Sequence, residues 1–158
     1  MTDFLADAMT RVVEMQKLAL PDTKAAFSNP LATYPNFPFW VNTLSTITPR
    51  TAPTALQQTT DYVVRMRLVI GHMKEGYEGT LPDKLWAWTP QVLEYFQARK
   101  HLQYQAGQAA VRYLSPLGTE IRLSRGFSSF QVAQDIIHIG TEFELVVPFV
   151  RVVAPAYQ

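Results

Sequence analysis

Gly-Thr-Glu-Phe-Glu-Leu-Val-Val-Pro-Phe-Val-Arg-Val-Val, residues 140–153, is the stretch whose reading decides the fold. Phe143, Leu145, Val147 and Phe149 recur with the two-residue period of a strand that buries one face. The other face changes along its length, with Glu142 and Glu144 first and Val146, Val150 and Val152 after them. A strand whose outer face turns from polar to apolar implies that something covers its second half. In a chain of 158 residues a neighbouring subunit is a good candidate for that cover.

Working outward, Thr60–Met73 alternates in the same way. Tyr62, Val64, Met66, Leu68 and Ile70 face one side, and Asp61, Val63, Arg65, Arg67 and Val69 the other. Thr119–Arg125 sets Ile121 and Leu123 against Glu120, Arg122 and Ser124, a third strand. A further strand falls around Phe130–Val132 or Asp135–Ile139. Residues 3 to about 19 form an amphipathic helix, with Leu5, Ala8, Val12, Met15 and Ala19 on its apolar stripe and Pro21 at its end. Thr89-Pro90 reads as an N-cap and first-turn pair opening a second helix through Val92, Tyr95, Phe96, Arg99 and Leu102. Leu85, Trp86 and Trp88 read as a short turn before it, packed on the sheet. Ala106–Leu117 is open between strand and helix, and Pro116-Leu117-Gly118 is a turn.

Between Ala25 and Thr60 the only charge is Arg50, and five prolines are interspersed with Phe27, Tyr34, Phe37, Phe39 and Trp40. Proline imposes extended geometry on itself and its predecessor. The segment therefore reads as a long extended arm with one short strand at Thr43–Thr48. Its aromatic content favours an arm pinned on a surface, of its own core or of a neighbouring copy, over a free linker. The whole is one α+β domain, residues 1–158, with a mainly antiparallel sheet flanked by an N-terminal and a central helix.

Composition excludes several functions. Net charge is +1, which gives no global basic field for nucleic acid. No cysteine is present, so disulfides and thiolate metal sites are excluded. No apolar run approaches the roughly 18 residues of a membrane span, and the acidic start Met-Thr-Asp-Phe-Leu-Ala-Asp lacks a signal peptide's basic residues. His72, His101 and His138 lack helical metal-ligand spacing, so no cofactor is called for. Glu142 and Glu144 read as solvated strand residues rather than a catalytic pair. Ser124, Ser128 and Ser129 lack a nucleophile-elbow context. Arg65 and Arg67 on one strand, with Arg122 and Arg125 on another, are candidate linings of a nucleic-acid channel. Cross-strand pairing with Glu120, Glu142 and Glu144 is the favoured alternative.

The order of pieces carries a resemblance. An amphipathic helix leads into Asn29-Pro30 and Pro35-Asn36-Phe37-Pro38. The strand Tyr62-Val63-Val64-Arg65-Met66-Arg67-Leu68-Val69-Ile70-Gly71 and a glycine-rich loop follow. A helix opened by Thr89-Pro90 ends in Ala98-Arg99-Lys100-His101-Leu102. Leu114-Ser115-Pro116-Leu117-Gly118 precedes Thr119-Glu120-Ile121, and Gly140-Thr141-Glu142-Phe143-Glu144-Leu145 follows. This resembles the tail terminator, or tail completion, proteins of long-tailed bacteriophages and related neck proteins. It covers roughly residues 3–153 through element order and short phrases, with no residue-specific motif.

The resemblance implies a virion structural protein, not an enzyme, assembled in the host cytoplasm. Its copies would form a ring, usually a hexamer, that caps the tail tube protein and docks the head-completion (stopper) protein. Sheath is a further partner where the tail contracts, and genome DNA would cross the central pore without sequence-specific binding. No membrane is involved. A ring needs unlike patches that meet head to tail; Phe37, Phe39 and Trp40 of the arm and Val146, Val150 and Val152 of the last strand are the candidates. The Gly71–Gly79 loop is a candidate for the face that meets tube or stopper. Alternatives are another neck protein (stopper or adaptor), or a small-ligand-binding or enzymatic domain with Trp86, Trp88 and Tyr95 around a pocket.

Overall fold

The computed structural model describes residues 3–23, 25–27, 38–50, 57–72, 81–105, 113–133 and 136–152. In chain order the elements are α1 (Asp3–Ala19), β1 (Ala25–Phe27), β2 (Phe39–Pro49), β3 (Gln57–His72), α2 (Leu81–Gln97), β4 (Glu120–Ala133) and β5 (Ile136–Val152). The strands form one sheet in the order β1-β2-β3-β5-β4. Neighbours among the last four are antiparallel, and β1 adds a short parallel edge. The α+β class and the mainly antiparallel sheet thus agree with the sequence.

Alternation decides which way the strands face. Val64 lies opposite Leu145 and Met66 opposite Phe143 in the β3–β5 ladder, while Trp40 lies opposite Leu68 in β2–β3. All six side chains are buried in one core with Ala8, Val12 and Met15 of α1 and Leu85, Val92 and Phe96 of α2. Both helices therefore cover the same face of the sheet, the arrangement that buries one apolar stripe per helix. Phe4, which widens the α1 stripe, is buried, with its ring 5.0 Å from that of Phe149. Tyr113 stacks on the same Phe149 at 5.8 Å and closes this end of the core.

Several expectations are corrected. Most of the supposed arm that falls within the described residues is an integral strand: β2 spans Phe39–Pro49, not a short Thr43–Thr48 piece. A charge-free run rich in aromatic and β-branched residues packs as a sheet strand despite its flanking prolines, and Pro49 sits at the strand's end, where proline is tolerated. Phe37 lies outside the described residues.

The second helix opens at Leu81, so Thr89-Pro90 is internal rather than a cap. The tryptophan turn is part of this helix, and Trp86 is 81% exposed rather than packed on the sheet. The helix stops at Gln97, and Leu102 and Gln103 turn back with φ of 54° and 61°. That left-handed pair is unusual for non-glycine residues, and Leu102 is held by complete burial in the core.

The last strand begins at Ile136, not Gly140, and β4 runs on to Ala133. Gly140 instead marks a close approach inside the sheet. A Cβ placed there would lie 1.9 Å from the Leu68 carbonyl oxygen, beside the irregularity between Val69 and Gly71. The Pro116-Leu117-Gly118 turn is present. The Gly118 N–H donates to the Ser115 carbonyl at 2.8 Å, and Gly118 takes a φ of 74°. Most of the 71–79 loop and most of the ambiguous 106–117 segment lie outside the described residues.

Candidate assembly surface

The outer face of the sheet, opposite the helices, carries the arginines. Strand register sets Arg65 of β3 opposite Glu144 of β5, which itself faces Arg122 of β4. One step along, Arg67 lies opposite Glu142, which faces Arg125. Arg67 Nε donates to Glu142 Oε1 at 2.9 Å, and Ser124 Oγ donates to Glu142 Oε2 at 2.8 Å. Arg65 Nε lies 3.4 Å from Glu142 Oε1 without a directed hydrogen bond. Arg122 grips Glu144 Oε2 through Nε at 2.9 Å and Nη2 at 2.6 Å.

Glu142 is the centre of this network, and its side chain is 4% exposed. The expectation that Glu142 is solvated is therefore wrong. The stems of long cationic side chains cover apolar and polar surface alike, and Arg65 and Arg67 flank this carboxylate. Burial, the largest single effect, pulls its pKa upward. The hydrogen bonds from Arg67 and Ser124 and the charges of Arg65 and Arg67 together outweigh burial and hold it below the ordinary carboxylate range.

Three of the four candidate channel arginines thus have carboxylate partners, and Arg125 has no ion pair among the described residues. The Arg122–Glu144 pair is largely exposed and stabilises by at most about 1 kcal/mol.

The candidate interface residues fall apart into two groups. Phe39 and Trp40 are 0% exposed within the single chain, so neither has side-chain surface to give to a neighbour. Trp40 is in the core beneath the helices, 5.9 Å from the Phe143 ring. Phe39 is on the outer face, edge-on to His138 at 6.2 Å. Their assignment to a subunit contact is corrected: the strand that carries them needed their burial for its own packing. Val146 and Val150 are half-buried on the outer face, while the side chain of Val152 lies outside the described residues.

Apolar surface does project, at places the sequence reading missed. Along one edge of the sheet, Leu85, Trp86, Thr89 and Pro90 of α2 and Leu123, Gly126 and Phe127 of β4 enclose a groove of about 370 Å³. Trp88 and Tyr95 do not line it. Trp88 packs against the core, and Tyr95 carries the Arg99 guanidinium 3.8 Å over its ring. Toward the other edge, β1 pairs with β2 only over Phe39–Val41. The rest of β2, Asn42–Pro49, has no strand on that side among the described residues, and Leu44 and Ile47 are 46% and 54% exposed there. A signal for the first site is Trp86 four residues before Pro90, one helical turn apart. For the second it is a strand without a single charge.

The chain matches no protein-family model and no curated protein. Among the described residues no group of histidine, aspartate and glutamate is placed to hold a metal ion, and no helix is long and apolar enough to cross a membrane.

Proposed function

We propose that this chain is a structural subunit that assembles with copies of itself into a ring, of the phage tail terminator kind that its element order resembles. In that role the ring caps the tail tube, docks the head-completion protein and stays in the virion at the tail–head junction. A stopper or adaptor ring is the neighbouring reading within the same class. The observation that carries the proposal is the placement of exposed apolar side chains toward opposite edges of one sheet. Trp86, Leu123 and Phe127 project at one and Leu44 and Ile47 at the other. Unlike patches on opposite sides of a subunit generate head-to-tail contacts, and such contacts close into rings when the rotation per subunit divides a full turn.

The paired arginines temper one part of the reading. With Glu142 and Glu144 taken up by Arg65, Arg67 and Arg122, a channel wall made of this face would be close to neutral. Such a wall suits DNA that must slide rather than bind. The test is mass in solution by light scattering, followed by labelling of the chain in phage particles. A multimer of fixed size found at the tail–head junction is expected; a monomer at micromolar concentration overturns the ring.

One observation favours a second reading, a small-ligand site. The groove beside Trp86 has the volume of ligand pockets and almost no polar lining. A monomer whose Trp86 fluorescence responds saturably to an apolar ligand would favour it.

A further inference from the structure

We infer that the subunit joint is a continuation of the sheet, with Asn42–Pro49 of one copy pairing along β4 of the next and inserting Leu44 and Ile47 beside the Trp86 groove. This deepens the ring reading and rests on it.

Three features of the chain converge on this joint. The first is strand direction. Three antiparallel pairings, β2–β3, β3–β5 and β5–β4, separate the two edge regions, so β4 runs opposite to β2. A second copy placed beside the first in the same orientation therefore brings its β2 antiparallel to β4. The added ladder is of the same kind as the rest of the sheet.

The second is sidedness. Leu44 lies opposite Val64 and Ile47 opposite Tyr62, both on the helix side. Leu123 lies opposite Phe143, on that same side. Continuing the sheet joins helix side to helix side, so the exposed leucine and isoleucine of one copy reach the face where the neighbour's groove opens.

The third is charge. Native open edges are guarded by charged side chains, and β2 carries none from Phe39 to Pro49. β4 carries Glu120, Arg122 and Arg125 but keeps its apolar Leu123 and Phe127 half-exposed beside the groove. An uncharged strand meets β4 without opposing any of these charges. Hydrogen bonds along the edge would fix the partner as an extended strand, and the groove would select its apolar side chains.

The absence of cysteine makes the test direct, because any introduced thiol is unique. Thr46→Cys and Arg125→Cys are prepared separately, each on an exposed position on the outer face of one of the two edge strands, and treated with a short flexible bismaleimide. Cross-linked dimers are expected when the two variants are mixed, and not from either alone. Strong linking of Thr46→Cys to itself would mean that two β2 edges meet each other, and would overturn the joint in favour of a two-fold dimer.

Ile47→Asp and Trp86→Ser provide the second measurement. Each is expected to raise the half-assembly concentration at least tenfold while leaving the circular dichroism and thermal midpoint of the single chain unchanged. A fixed-size ring that persists in both variants, with no link in the mixture, overturns this joint and leaves the ring reading standing. Wild-type protein that stays monomeric overturns both, and leaves the β4 edge to a strand from a different protein.

Discussion

Two buried polar residues of the core face each other across α1 and β2. Gln16 Nε2 donates to Asn42 Oδ1 at 2.7 Å, and Asn42 Nδ2 donates back to Gln16 Oε1 at 2.8 Å, both side chains being fully buried. The two amides bond each other reciprocally, so removing one takes two buried hydrogen bonds from its partner. Gln16→Leu is expected to cost about 1–3 kcal/mol in urea unfolding, the penalty for buried polar atoms that lose their hydrogen-bond partner. The double replacement Gln16→Leu with Asn42→Leu should recover part of that loss, since neither amide of the pair then faces an apolar side chain.

Glu142 behaves differently because it titrates. Its folded pKa lies below its unfolded one, so its stabilisation is present above the ordinary carboxylate range and is lost as pH falls through the folded value. Glu142→Gln is expected to cost about 1.5–3 kcal/mol at neutral pH, the range for hydrogen bonds to charged groups. The gap between variant and wild type should narrow as unfolding is followed into acid. A gap that stays constant with pH would show that the carboxylate's charge is not what matters.

Neither burial was legible in the sequence. The alternation that put Glu142 on the outer face was local, but its cover comes from Arg67, 75 residues away along the chain. Gln16 sat in α1 four residues after Val12, on the buried stripe, where only the tertiary partner explains an amide.

At the scale of elements, the regular alternation of β3 and β5 and the stripe of α1 were legible because their periods are short and uninterrupted. β2 was hidden by its prolines, which read as a breaker until the strand's lack of charge is weighed against them. α2 was misread because Thr89-Pro90 satisfies the local chemistry of a helix start. Proline inside a helix withholds an N–H from the carbonyl four residues earlier, here that of Trp86. The turn around Trp86 is thereby weakened where it lines the groove. Pro90→Ala is expected to stabilise the chain by about 1–3 kcal/mol in thermal unfolding, while reshaping the groove wall.

Gly140 argues the opposite case in β5. A Cβ there would meet the Leu68 backbone carbonyl, which no rotamer change can move aside. Gly140→Ala should part the β3 and β5 strands locally and destabilise by more than about 4 kcal/mol, in the exceptional class of single substitutions. Near-normal stability of that variant would show that the two strands can separate at the irregularity without loss.

For the whole molecule, the candidate interface was legible only as a category. Uncharged, aromatic-rich sequence did mark a strand with an open half, but its largest side chains, Phe39 and Trp40, are spent on the subunit's own interior. The groove was illegible because it is assembled from α2 and β4, whose adjacency is a property of the fold. Val150→Asp, on the outer face of β5, tests the remaining candidate. If the outer face is a contact, the variant should keep its fold and lose mass in light scattering; an unchanged multimer restricts association to the sheet edges.

The middle of the sheet is built from the two strands farthest from one another in order of synthesis among those that pair. β3 meets β5 from Gln57 against Val152 to His72 against His138. A nascent chain leaving the ribosome therefore displays β2 and β3 well before the strand that belongs beside β3 has been translated. Pairing over such separations is slow, and unpaired edges are prone to wrong partners while they wait. Polysomes translating this message carry many such unfinished chains close together, so production of native subunits should depend more on chaperone supply and growth temperature than the size of the domain alone would suggest.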